Sequence, residues 1–309
     1  MSNKTIAARW QRRAFFLVTL AALCAAAEGG WTQQAPGNVE TRQEKAFTER
    51  ASEGTRDSEH VVLAAGDIAD CRNLAGAQGT AKLLGKIPST ILALGDLAYP
   101  DGSEANFRDC FGPTWGRYKE RMRPAPGNHE FHASGASPYF KYFGAAAGDP
   151  ERGYYSFDLG HWHIIALNSE CAKVEGCDKG SPQELWLKED LKQHGSQCIL
   201  AYWHVPLFSS GAEHGNAPTM KAFWDDLYAA GADIVLNGHD HDYERFALQD
   251  PGGTADPDRG IREFVVGTGG KNLRAFNAPL ATTEKRSNEA FGVLQLTLKT
   301  RAMTGSLSQ

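Results

Sequence analysis

Seven polar side chains in this sequence stand at similar places. Asp67 follows Gly66. Asp96 follows Gly95, with Tyr99 three residues on. Asn128 follows Gly127, His204 follows an apolar run at 198–203, and His239 and His241 flank Asp240 just after Gly238. Each comes where a short apolar run gives way to glycine or a turn. Carboxylate, phenol, amide and imidazole donors without a thiolate suit zinc, iron or manganese better than a soft-metal site. Seven ligands are too many for one tetrahedral ion. They suit two ions sharing a carboxylate, an arrangement that can hold both the attacking and the leaving oxygen of a phosphoryl transfer.

Taken singly, each element has an ordinary explanation. A Gly-Asp pair after a strand is usually a turn, Gly-Asn-His is usually a loop, and a lone histidine is usually structural. His239 and His241 say more, because alternate residues of an extended segment point the same way. The whole set, in order and each member at the end of an apolar run, points to a metal centre.

Those runs read as strands at 60–65, 90–94, 122–125, 197–203 and 233–236, with further strands at 264–266 and 293–298. A hairpin is expected over 154–159 and 162–167, turning at Gly160-His161. Helical patterns fall at about 73–86, 182–194 and 217–230. Strands alternating with helices predict an α/β sandwich, whose ligand site lies beyond the carboxyl ends of the strands. The polar run ends should therefore converge. Gly267-Thr268-Gly269-Gly270 follows a strand with no helix after it and reads as a tight turn near that site. The stretch 250–260 reads as a surface loop, and loops 102–118, 131–150 and 209–217 are left to shape the substrate pocket.

The chain has 309 residues, 41% hydrophobic and 22% charged, with a net charge of −5. That composition excludes collagen, coiled coil and wholesale disorder. It lacks the basic surplus of a nucleic-acid binder, so no nucleic-acid scaffold is expected as a partner, and no apolar run reaches the roughly eighteen residues of a membrane span. Lys4, Arg9, Arg12 and Arg13 precede an apolar stretch at 14–27 that ends in small residues. Residues 1–27 therefore read as an export signal, periplasmic or secretory. Gln11-Arg12-Arg13-Ala14-Phe15-Phe16-Leu17 resembles a twin-arginine signal, used by bacteria; a general secretory signal holding two arginines is the other reading. Cys24 also raises a lipid anchor, although Leu23 is a poor lipobox residue. Residues 28–57 read as a polar, disordered linker and 58–305 as one catalytic domain. Without Cys24 five cysteines remain, so one must lack a partner within the chain. Cys171 and Cys177 flank a short loop and should bridge, Cys71 with Cys110 is the second expected pair, and Cys198 is expected as a buried thiol. A structural zinc site for these cysteines is the competing reading, but they lack paired C-x-x-C spacing.

Gly66-Asp67, Gly95-Asp96-Leu97-Ala98-Tyr99, Gly127-Asn128-His129-Glu130, His204 and Gly238-His239-Asp240-His241 together resemble the motif blocks of the metallophosphoesterase (calcineurin-like) superfamily. Tyr99 and the string from Gly238 to Arg245 resemble its purple acid phosphatase branch. The resemblance spans about 60–300. It implies an αββα sandwich of two mixed sheets flanked by helices, with a dimetal site at the strand carboxyl ends. It also implies that Asp67, Asp96, Tyr99 and His241 hold the first metal, and that Asp96 bridges to a second held by Asn128, His204 and His239. Two metal ions are the implied cofactors. A phenol titrates near pH 10, so a tyrosine ligand favours strongly acidic ferric iron at the first site, which would colour the protein purple; zinc, manganese or iron would fill the second. Many superfamily members have a histidine two residues after the first aspartate, where this chain has Ala69. Only a polar tail precedes Glu59, so no counterpart is expected for the amino-terminal β-domain of the large plant enzymes.

The implied function is hydrolysis of small phosphate monoesters by direct attack of hydroxide generated on the metals. His129 is expected to touch the phosphate or protonate the leaving group, with an orienting role as the alternative. His214, ten residues past His204, is expected to contact substrate, against the plainer reading of an exposed loop residue. His161 and His163 are read as hairpin residues, His60 and His194 as surface residues, and His132 as structural at the site rim. Two other functions stay open: a phosphodiesterase or nucleotide hydrolase on the same metals, and a non-enzymatic phosphate- or partner-binding protein.

Overall fold

The computed structural model describes residues 15–25, 59–195 and 197–301. Arg12 and Arg13 of the export motif and the linker expected at 28–57 lie outside the described residues.

Two mixed sheets form the body. One runs in the order β1 (Phe15–Ala25), β14 (Phe291–Arg301), β2 (His60–Ala65), β4 (Thr90–Leu94), β6 (Met122–Ala125). The other runs β13 (Thr283–Ser287), β11 (Tyr243–Gln249), β12 (Ile261–Val266), β10 (Ile234–Asn237), β9 (Cys198–Tyr202), β8 (Trp162–Ala166), β7 (Tyr155–Leu159). Within the first sheet β2, β4 and β6 are parallel; within the second β8, β9, β10 and β12 are. The carboxyl ends of these parallel strands carry the polar residues singled out above. A short ladder, β3 (Ala69–Asp70) against β5 (Ala98–Tyr99), continues the β2–β4 pairing past the Gly-Asp turns.

Period-two burial shows how the layers stack. In β9, Leu200 and Tyr202 belong to the core between the sheets, whereas Ile199 and Ala201 face the helices α3 (Pro182–Gln193) and α4 (Lys221–Ala230) through Leu187, Leu191, Phe223, Trp224 and Leu227. The same split holds in β10 and β12: Leu236 and Phe264 go inward, Val235 and Val265 outward. Burying each such large apolar side chain contributes about 1.5–3 kcal/mol. Helix α1 (Ala75–Leu84) packs against β14 of the first sheet and buries Ala77, Ala81 and Leu84. Local signals start α3: Ser181 accepts the Glu184 N–H at 3.3 Å and Pro182 opens the first turn, where its missing N–H costs nothing.

The expected α/β sandwich, the strands at 60–65, 90–94 and 122–125, and the 160–161 hairpin are all present. Three elements depart from the sequence reading. Residues 137–143, inside a stretch expected as loop, form helix α2 (Ser137–Phe143). Tyr243–Gln249 is a strand that periodicity misses, because buried Glu244 and Gln249 break the apolar pattern. Phe15–Ala25, the expected signal core, pairs in parallel with β14 from Phe15 opposite Phe291 to Ala25 opposite Arg301. A run of aromatic, aliphatic and threonine residues has the composition for that too. Among the described residues no helix is long and apolar enough to cross a membrane.

The Cys71–Cys110 and Cys171–Cys177 disulfides form as expected. Cys198 is buried as expected but is disulfide-bonded, which corrects the thiol reading.

Candidate metal centre

Backbone bonds beyond the strand ends aim the candidate ligands. Asp67 N–H donates to Gly95 O at 3.1 Å and Ile68 N–H to Asp96 O at 3.0 Å, so the two Gly-Asp turns are stitched side by side. Asp67, Asp96 and His239 all adopt left-handed backbone, at φ 59°, 52° and 70°. Aspartate and histidine tolerate that region better than most residues, at a cost of about 1–2 kcal/mol each. Glycine at 127 is required by close approach, since a side chain there would stand 2.3 Å from Asp96 Oδ1.

The side chains form two linked groups. In the first, the Tyr99 hydroxyl lies 2.7 Å from Asp67 Oδ1, 3.0 Å from Asp96 Oδ2 and 3.3 Å from His241 Nε2, and His241 Nε2 is 3.2 Å from Asp67 Oδ1. In the second, His204 Nε2 is 3.3 Å from Asp96 Oδ2 and 3.2 Å from His239 Nδ1. Asp96 Oδ2 belongs to both. Asp67, Asp96 and His204 bring ligand atoms within 4.8 Å of one another.

Proton counting shows what this arrangement lacks. His241 Nδ1 faces Asn272 Oδ1 at 3.2 Å and His204 Nδ1 faces the Leu94 carbonyl at 2.8 Å. Those oxygens only accept, so both Nδ1 atoms carry a proton and both Nε2 atoms are the ones turned inward, toward the carboxylates. Tyr99 has one hydroxyl proton for three neighbouring acceptors. Asn128 Oδ1 is buried with no hydrogen-bond partner. Asp67, Asp96, Tyr99, His204 and His241 are each at most 2% exposed, so water cannot screen this crowd of acceptors. Such a site demands cations, and its hard oxygen and imidazole donors fit zinc, iron or manganese.

The electrostatics show the same surplus of negative charge. Burial disfavours a charged His204, yet the Asp96 and Asp67 carboxylates outweigh it and push the imidazole up to about 10. Burial, followed by the same two carboxylates, drives the Tyr99 phenol well above its usual range. Burial and the neighbouring His204 press His239 down to about 3, leaving it a lone-pair donor.

His129 and His214 lie at the edge of this centre. His129 N–H donates to Asp96 Oδ1 at 2.9 Å, and its Nδ1 donates to the Pro100 carbonyl at 2.5 Å. That leaves Nε2 directed at the site, 3.8 Å from Asp96 Oδ2. The His132 ring lies tilted beside it, ring centroids 4.7 Å apart. His214 is exposed and stacks on His239 with centroids 4.0 Å apart.

Several supporting residues escaped sequence reasoning. Glu130 is buried and accepts the Asp96, Leu97 and Gly127 N–H groups at 2.9, 2.8 and 2.8 Å. It therefore fastens the Asp96 turn to the Asn128 turn. Its place in the Gly127–Glu130 string was visible, but the bonds were not. Lys271 N–H donates to the Asp67 carbonyl at 2.8 Å, and its ammonium sits 4.6 Å from the Tyr99 ring centroid. Lys271, Asn272 and Arg274 all follow the expected tight turn at 267–270, which was the available signal.

Asp158, His163 and His194 also come within 4.8 Å of one another. Both His163 nitrogens are already bonded, to Asp158 and Asp190 at 2.8 Å each. The two rings lie parallel, 3.7 Å apart at 8°, so their in-plane lone pairs cannot meet on one ion. His163 is thus a buried bridge, and His194, expected at the surface, is half-buried against it.

The family model for calcineurin-like phosphoesterases matches residues 43–243, more than half of the chain. Purple acid phosphatase 15 of Arabidopsis thaliana is 31% identical over 53% of this chain and 37% of its own length. Purple acid phosphatase 18 of the same plant is 28% identical over 68% of this chain and 51% of its length. The chain thus spans about half or less of these relatives. Among solved structures, purple acid phosphatase PPD1 from yellow lupin (Lupinus luteus) seeds aligns at a TM-score of 0.60 and 15% identity, over 82% of this chain and 58% of that one. GAP50, the anchor in the inner membrane complex of Plasmodium, aligns at 0.58 and 14% identity, over 81% and 87%. At such identities these two likenesses speak for the fold alone.

Proposed function

Because this chain belongs to the calcineurin-like phosphoesterase family, we propose that it is an exported, metal-dependent phosphomonoesterase of the purple acid phosphatase type. The observation that carries this reading is the Tyr99 hydroxyl, set within hydrogen-bond reach of Asp67, Asp96 and His241. On this reading Asp67, Asp96, Tyr99 and His241 hold one metal, and Asp96, Asn128, His204 and His239 hold the other, with iron at the Tyr99 position and zinc, manganese or iron beside it. When bound, two such ions acidify a water and neutralise charge on the phosphoryl oxygens.

The protein's own groups supply the rest. The Nδ1–H···O=C bond to Pro100 orients the His129 ring and leaves Nε2 free at the site, where a proton can pass to the leaving ester oxygen. His214, stacked over His239, faces the substrate side of the centre and contacts the phosphoryl oxygens. Glu130 holds the Asp96 and Asn128 turns in register, so the donors need no reorganisation when substrate binds.

Export is the other part of the proposal. The segment 1–27 is the signal, removed after Ala27 in the mature enzyme, so the pairing of Phe15–Ala25 with β14 and the disulfide at Cys198 belong to the full chain alone. Sequencing the amino terminus of protein recovered outside the cytoplasm tests this: a start at Glu28 supports it, and a start at Met1 or Ser2 rejects it.

The activity is tested by hydrolysis of p-nitrophenyl phosphate beside bis-p-nitrophenyl phosphate, with and without chelator. Chelator-sensitive monoester turnover is the expected result. Turnover of the diester alone moves the protein to the phosphodiesterases. A metal-loaded protein inert to both esters favours a binding role.

A further inference from the structure

The His214 ring touches more than His239. Arg274 Nη1 lies 2.7 Å from His214 Nε2, across sixty residues of chain. A guanidinium has donors only and stays charged, so Nε2 must accept and the ring proton must reside on Nδ1.

Arg274 is itself held on several sides. Its N–H donates to the His241 carbonyl at 3.0 Å, its carbonyl accepts from Asn288 Nδ2 at 2.6 Å, and its Nε pairs with Glu213 Oε2 at 2.7 Å. The two loops around this contact are zipped together: Ala212 N–H donates to Ala275 O at 2.9 Å and Asn277 N–H to Ser210 O at 2.8 Å. Below them Asp240 Oδ2 accepts from Ser209 Oγ at 2.5 Å and from Gly215 N–H at 3.1 Å. Glycine at 211 is what allows this fit, since a side chain there would stand 2.3 Å from the Asp240 carboxyl carbon. Loop 209–217 is therefore a fixed roof beside the second ligand group.

We propose that Arg274 is a positioning residue that locks His214 with its proton on Nδ1, so that His214 serves as a fixed hydrogen-bond donor to the phosphoryl group. This rests on the phosphoesterase reading of the site. Without Arg274 the ring has no partner selecting its tautomer, and it loses one of the two contacts that hold its plane. A lysine at 274 still supplies a donor-only cation, so it keeps the tautomer while losing the planar fork shared with Glu213.

The test is long-range nitrogen–proton correlation spectroscopy on zinc-loaded full-length protein, with the His214 signals identified by their loss in His214→Gln. The wild type is expected to show the Nδ1–H pattern, Arg274→Lys to keep it, and Arg274→Ala to shift toward Nε2–H. In parallel, Arg274→Ala is expected to lower kcat/KM for p-nitrophenyl phosphate by about tenfold or more, as loss of one oriented hydrogen bond would, with Arg274→Lys recovering most of it. An Nε2–H pattern in the wild type, or an unchanged Nδ1–H pattern in Arg274→Ala, overturns the proposal. Absence of monoester turnover in the wild type overturns the functional reading instead, and the spectra still decide the tautomer.

Discussion

The Tyr99 hydroxyl stands 2.7 Å from Asp67 Oδ1 although the two residues are thirty-two apart in sequence. The β3–β5 ladder sets that distance, by extending the β2–β4 pairing two residues beyond the Gly-Asp turns. A phenol, a carboxylate and an imidazole thus meet at one point through main-chain register.

Replacing the phenol tests its role as a ligand. Tyr99→Phe is expected to abolish visible absorption of the iron-loaded protein while the Asn128, His204 and His239 group keeps its metal. Absorption spectra with metal analysis check this. Colour that survives the substitution points to another chromophore.

Asp96 joins the two groups, since its Oδ2 faces Tyr99 at 3.0 Å and His204 at 3.3 Å. Asp96→Asn removes the shared charge. Bound metal is expected to fall from two ions per chain to one or none, with monoester turnover falling at least about a hundredfold. Wild-type metal content in this variant would reject the ligand map.

Glu130 makes a separate prediction, of positioning and stability. Glu130→Gln puts an amide N–H₂ among backbone N–H groups that now have carboxylate acceptors. Leaving buried donors unpaired costs about 1–3 kcal/mol. A lower Tm together with weakened metal retention is the expected outcome. Unchanged melting would mean that the turns do not depend on this carboxylate.

His163 makes a pH-dependent prediction away from the metal centre. It bridges Asp158 of β7 and Asp190 of α3, with Ser156 donating to Asp190 at 2.8 Å and His194 stacked on its ring. Burial lowers the pKa of His163, but the hydrogen bonds to Asp190 and Asp158 outweigh that and raise it above 6.5. A group raised on folding stabilises fully below its unfolded pKa, and that stabilisation fades as pH climbs through the folded value. The Tm deficit of His163→Gln is therefore expected to be larger at pH 5.5 than at pH 9. Equal deficits at both pH values would show that the charge contributes nothing.

Much of the candidate centre was legible because its donor side chains sit next to strand ends. Gly66-Asp67, Gly95-Asp96, Gly127-Asn128 and Gly238-His239 each couple an apolar run to a glycine, and both signals are local. Helix α3 was legible from the helical pattern at about 182–194, whose start the structure shows capped by Ser181. Glu244 hid β11, because a buried carboxylate satisfied by Ser209 and Ser210 breaks the apolar alternation. His163 stands in the expected hairpin, but its bond to Asp190 and the half-burial of His194 against it were not legible, because they join a strand to a helix brought together only by packing.

The sequence by itself determined the donor types, their order along the chain, the alternation of strands and helices, and the Cys71–Cys110 and Cys171–Cys177 pairs. These follow from spacing, composition and turn chemistry within a few tens of residues. Only the tertiary structure decided that one oxygen of Asp96 faces both donor groups, that Arg274 meets His214, and that Cys198 of the full chain is bonded. Those facts depend on how two sheets and their connecting loops stack, and stacking is set by cooperative burial across the whole core rather than by any local run of residues.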